Sequence, residues 1–248
     1  MKKILILIFL VFCLGLQAQT ETKTTVIFID NSASSVDDSS VLDSKRENLL
    51  ETVWNAAQID GSIVILSYIY ENSSSVSNKR VFKFEAPKLD ETALVGSELD
   101  FERERLLDAI EEERAYFTEL VVEKALAYKP DRPATYILST LSLLQSWKQE
   151  YGSLNVAYFS DMIEASNVRA LANTKFSTLE QARNLGRVDA KKTADTYELK
   201  SHFLKDVSVS VFLPVQDMDN RKVFRFLPAY WGEVFSSVGL SSSNLKFQ

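Results

Sequence analysis

The sequence predicts an α/β fold, a three-layer sandwich with a mostly parallel central sheet flanked by helices. Three observations predict it. Apolar runs at residues 25–29, 63–66 and Leu154–Phe159 have strand length and the near-continuous hydrophobicity of strands buried on both faces. Between them lie segments whose apolar residues recur at helical spacing, as parallel strands joined by crossovers require. A hydrophobic content of 46% in 248 residues supports one large core, with no repeat or second domain visible.

The chain opens with Met1-Lys2-Lys3, an apolar run over 4–16 and a small residue at Ala18. This is the pattern of a secretory signal over 1–18, so cleavage near Ala18 and export, periplasmic or secreted, are expected. The run is shorter than the roughly 20 residues that span a bilayer, and no later segment approaches that length, so no transmembrane segment is expected. Cys13 is the single cysteine. Bulky Phe12 stands before it where a lipoprotein signal has a small residue, which argues against lipid anchoring. Without the leader no disulfide can form, and the fold depends on its core. Losing Lys2 and Lys3 also takes the net charge from −6 to −8. No run of basic residues interleaved with aromatics offsets this acidity, so a nucleic-acid partner is not expected.

Residues 24–35 read T-T-V-I-F-I-D-N-S-A-S-S. The strand ends at an acid, and Asp30, Ser32 and Ser34 then alternate in a short polar loop. One carboxylate and two hydroxyls can converge there, a donor set suited to a hard divalent cation. The alternative is a serine-rich loop in which Asp30 hydrogen-bonds its own turn.

Ser44-Lys45-Arg46-Glu47 has the form of a capping box opening a helix, with Leu50, Val53, Trp54 and Ala57 as its apolar stripe and Asp60-Gly61 as its end. A strand follows over 62–70, completing a βαβ unit. Charged and apolar residues alternate over 79–85, as in an exposed edge strand. Residues 97–129 predict a long helix stopped by Pro130. Leu99, Leu106, Leu107, Ile110, Phe117, Leu120, Val121 and Leu126 give it an apolar side. Its many glutamates form a solvated face; Glu111, Glu112 and Glu113 point in different directions and lack calcium-loop geometry. After 130–135 comes a helix with Ile137, Leu138, Leu141, Leu144 and Trp147 buried. Leu154–Phe159 is again a strand, followed at once by Ser160-Asp161-Met162. Residues 163–206 mix charges and read as a solvated loop-and-helix connection; lone His202 reads as surface and gives no zinc site. A strand over 207–213, a final helix from Val223 to Val238 started or kinked by Pro228, and a tail over 241–248 complete the chain.

Asp30-Asn31-Ser32-Ala33-Ser34 matches the D-x-S-x-S motif of von Willebrand factor type A (vWA) domains, the metal-ion-dependent adhesion site. Ser160-Asp161 stands where that family has its second aspartate, after the fourth strand. Over residues 24–240 the chain thus resembles a vWA domain, a vWA/Rossmann-like sandwich. The resemblance implies a metal set of Asp30, Ser32, Ser34, Thr135 and Asp161. Thr135 follows Ala134 where relatives often have glycine, and a helix N-cap is its alternative role. It further implies Mg2+, or Mn2+ or Ca2+, with an open coordination position filled by an Asp or Glu carboxylate of a partner protein. The expected function is an exported, non-enzymatic protein-binding module. A degenerate vWA domain acting as a metal-free interaction or scaffold module is the alternative. A magnesium-dependent phosphohydrolase of the haloacid-dehalogenase type would need an acid two residues after Asp30, where Ser32 stands. Ser-His-Asp chemistry has His202 as its one possible base and no G-x-S-x-G turn.

Overall fold

A computed structural model describes residues 23–30, 39–70, 79–90, 96–127, 135–174, 176–214 and 224–248. Residues 1–18, where a leader is expected, with Cys13 and Ala18, lie outside the described residues, as do Ser32 and Ser34. Among the described residues six strands run β1 Thr24–Ile29, β2 Ile63–Tyr68, β3 Lys79–Lys83, β4 Leu154–Phe159, β5 Ser208–Phe212 and β6 Leu245–Phe247. The helices are α1 Ser39–Ala56, α2 Ser97–Ala127, α3 Thr140–Tyr151, α4 Leu179–Tyr197 and α5 Leu227–Ser237.

The strands form one sheet in the order β3-β2-β1-β4-β5-β6, parallel except for the antiparallel edge strand β3. This is the expected three-layer α/β sandwich, and its order places β1 between β2 and β4. Ile29 is in register with Tyr68 on one side and Phe159 on the other. Successive side chains therefore alternate between two cores. Val26, Phe28, Val156, Tyr158, Val209 and Val211 face α3, α4 and α5, with Phe28 stacked on Tyr158 at 4.8 Å. Ile27, Ile29, Val64, Leu66 and Phe159 face α1 and α2. Among the described residues no helix is long and apolar enough to cross a membrane.

Several elements depart from the sequence reading. The stripe that α1 buries is Leu49, Val53 and Ala57, while Leu50 and Trp54 are half-buried on its flank. Trp54 there lies 5.2 Å beneath the Arg114 guanidinium. Helix α2 has buried residues only from Phe117 onward, and Phe101, Leu107 and Tyr116 are 59%, 64% and 65% exposed. At 1.5 Å per residue its 31 residues extend about 45 Å, whereas six-residue strands cover about 20 Å. The helix outruns the sheet it packs on. Helix α3 begins at Thr140, so Ile137 and Leu138 are buried in the turn that leads into it.

The segment read as a tail supplies the sixth strand: Leu245 and Phe247 pair with Val209 and Val211, and Gln248 N–H donates to the Val211 carbonyl at 2.8 Å. Two apolar residues around Lys246 are too short a pattern to read as a strand, yet they complete the parallel edge of β5. Residues 163–206 contain the 19-residue α4, capped by the Thr178 hydroxyl, which accepts from Gln181 N–H. Its buried face consists of Ala182, Gly186, Asp189, Ala190 and Thr193, so small and polar that hydrophobic periodicity does not mark it.

Candidate functional site

Asp30 is the residue at which β1 leaves the sheet. Its N–H donates to the Phe159 carbonyl at 2.9 Å, and Ile69 N–H donates to the Ile29 carbonyl at 2.8 Å, so the ladder fixes its position on both sides. The residue is fully buried. Its Oδ2 accepts a 2.9 Å hydrogen bond from the Ser160 hydroxyl and a longer one, 3.4 Å, from the Thr135 hydroxyl. Such bonds supply the partners that a buried carboxyl oxygen requires. Thr135 lies five residues before α3, and Ser139 stands at the N-cap, so the capping role for Thr135 is corrected: its side chain serves Asp30.

The loop after β4 is built around the same point. Ser160 Oγ accepts from Met162 N–H at 3.0 Å, and Asp161 Oδ1 accepts from Ile163 N–H at 2.9 Å, while Met162 takes a positive φ of 58°. The Met162 carbonyl is held by Trp231 Nε1 of α5 at 3.0 Å. Ala165 N–H donates to the Thr135 carbonyl at 2.8 Å, tying the two site loops together. Glu164 reinforces that tie. Fully buried, it accepts Leu138 N–H at 2.8 Å on one oxygen and Ser166 N–H at 3.2 Å on the other. Burial pushes its carboxyl up to about 7, against the opposing pull of those donors.

A second polar cluster holds the loop from the other end. Arg169 grips Asp189 of α4 with two bonds of 2.7 and 2.8 Å, and the Tyr230 hydroxyl of α5 donates to the same carboxylate at 2.9 Å. The loop that carries Asp161 is thus fastened to the turn before α3, to α4 and to α5.

Of the residues expected to hold a metal, Asp30, Thr135 and Asp161 are described, and all three lie at the carboxyl-end rim of β1 and β4. Thr135 reaches Asp30 directly; Asp161 sits one residue beyond Ser160. Ser32 and Ser34 lie outside the described residues. Two members of the site were not marked as such by the sequence reading: Ser160 and Lys45. Lys45, on α1, is 9% exposed, and its ammonium donates to the Asp30 backbone carbonyl at 2.6 Å. Burial lowers its pKa to about 8, with Asp30 pulling the other way, so it remains a cation at neutral pH. The signal was present in the four-residue spacing of Lys45, Leu49, Val53 and Ala57, which places the lysine on the sheet-facing side of its helix. Lys45 also lines a small cleft of ≈ 30 Å³ with Val41, Ser44, Asn48, Ser160, Phe212 and Leu213.

The oxygen donors suit a hard cation, and Lys45 lowers the net negative charge that such an ion would meet. Lys45 already brings a full positive charge to Asp30. At an effective dielectric near 20, an ammonium about 5 Å from a divalent ion would cost about 7 kcal/mol, set against the attraction of the two acids at the rim. Among the described residues, no three histidine, cysteine or acidic side chains gather as a metal cage. Of the expected donor set, Asp30, Thr135 and Asp161 stand at this rim beside the Lys45 ammonium, and Ser32 and Ser34 lie outside the described residues.

No known family model matches the chain, and no curated protein does. Solved structures similar to it include the pilus adhesin SpaC of Lactobacillus rhamnosus GG in its open conformation, at 10% identity and a TM-score of 0.45. That match covers 94% of this chain and 28% of the adhesin. The human COPII-coat protein Sec24c is similar at 13% identity and a TM-score of 0.44, over 92% of this chain and 29% of that one. The chain spans less than a third of either protein.

Proposed function

We propose that this protein is an exported, non-catalytic binding module in which a cation at the carboxyl-end rim of β1 and β4 anchors an aspartate or glutamate side chain of a partner protein. The observation that carries the reading is the cleft beside Asp30. It is lined by Lys45 and Ser160, by the polar Ser44 and Asn48, and by the apolar Val41, Phe212, Leu213 and Pro214. A carboxylate entering such a cleft gains a charge-assisted partner, while apolar neighbours in the same peptide bury against its lips. The surrounding groups are committed to holding loops. Ser160 bridges Asp30 and Met162 N–H, and Asp161 closes its own turn, so the rim is pre-organised for binding. Export rests on the leader over 1–18.

Selection from a random peptide library displayed on phage, followed by chemical-shift mapping of the winners, tests this reading. Enriched peptides should carry Asp or Glu at one fixed position and perturb Val41, Lys45, Ser160 and Phe212. Peptides without an acid, or shifts confined to other surfaces, would sink it.

A further inference from the structure

We infer that the resident cation of this rim is the Lys45 ammonium, standing in the role that the vWA resemblance gives to a divalent metal. The inference rests on the proposed cation-anchored reading and names its cation. Three observations converge. Lys45 projects from the sheet-facing stripe of α1, in line with Leu49, Val53 and Ala57, so its burial is built into the helix rather than a chance fold of a surface side chain. Its ammonium is bonded at 2.6 Å to the carbonyl of Asp30, the residue whose carboxylate collects the Ser160 and Thr135 hydroxyls. And Lys45 is one of the residues that line the small cleft at the rim.

A lysine is found this deeply buried when it is paired. Lys45 sets a positive charge beside the two acids of the rim, weakening their attraction for a divalent ion. The module would then bind in the presence of chelator, with no metal to lose.

The test joins two measurements on the purified protein. Manganese titration of chelator-treated wild type, followed by electron paramagnetic resonance, should show no saturable site at millimolar ion. Urea unfolding of Asp30→Asn, Lys45→Met and the double variant should give a coupling of about tenfold or more in the unfolding constant, the double variant being more stable than additivity allows. If Lys45→Met does not fold alone, its recovery by Asp30→Asn reports the same coupling. One-site manganese binding to wild type that Asp30→Asn abolishes would overturn the inference, as would additive variants or a failed rescue. Neither measurement involves a partner. A selection without acidic peptides therefore counts against the binding reading alone, and manganese binding against the lysine assignment alone.

Discussion

Ser160 and Asp30, 130 residues apart in the chain, meet through a 2.9 Å hydrogen bond at the neighbouring ends of β4 and β1. The bond is buried and its acceptor is a carboxylate, so its loss leaves charge poorly satisfied. Ser160→Ala also strands the Met162 N–H that Ser160 accepts. A destabilisation of about 2 kcal/mol is expected in urea unfolding. A change below about half a kcal/mol would show that Thr135 or water takes over the bond.

Glu164 makes stability depend on pH. Its carboxyl titrates near 4.5 when unfolded and is pushed up to about 7 by burial in the fold. Between those values the folded protein holds a proton that the unfolded chain has released, so stability falls as pH rises and levels off above about pH 7. The full drop is about 3 kcal/mol. Glu164→Gln should lower stability slightly at acid pH, because its amide group faces one backbone donor, and should remove most of the slope from about pH 5 to about pH 8. Denaturation curves at several pH values decide this; an unchanged slope in the variant would assign it to another group.

Asp189 is a hub for three elements. Asp189→Asn leaves Arg169 without its bidentate partner in a largely enclosed site, for an expected cost of about 3 kcal/mol. Tyr230→Phe removes one hydrogen bond and should cost about 1 kcal/mol. Thermal melts of both variants should preserve this order, and equal losses would place the stabilising weight on Tyr230.

Gly186 lets α4 and α5 approach. A Cβ built there would lie 2.5 Å from the Tyr230 carbonyl oxygen and 3.0 Å from Glu233 Cβ. Alanine is the better helix former by about 1 kcal/mol, yet the clash is with backbone. Gly186→Ala is expected to lower the melting temperature, through an overpacking cost of about 1–3 kcal/mol. A rise would mean that the helices separate freely.

How much of this was legible depended on the kind of signal. Runs of large apolar residues marked β1, β2 and β4, and the acids that end β1 and follow β4 marked the rim, because a buried parallel strand leaves its polar residues at its ends. The core of α4 was hidden because close helix packing uses Ala182, Gly186 and Ala190, which carry little hydrophobic signature. Strand β6 was hidden by its three-residue length. Lys45 was hidden by its type: a lysine in the first turns of a helix ordinarily faces water, and only the spacing to Leu49 and Val53 pointed inward. Ser160 was visible as part of the Ser160-Asp161 pair, but its bond to Asp30 depends on strand order.

Helix α2 is continuous over 31 residues but is anchored by buried side chains only from Phe117 onward. Its amides therefore belong to two regimes of hydrogen exchange. Those near Val121 and Val122 open only when the core between α2 and the sheet opens, whereas those between Ser97 and Tyr116 can fray with little apolar burial to oppose them. Exchange should advance along this one helix as a front from its amino terminus and stall at Phe117. A protease that nicks the outer turns would leave the sheet, the rim and its lysine in place.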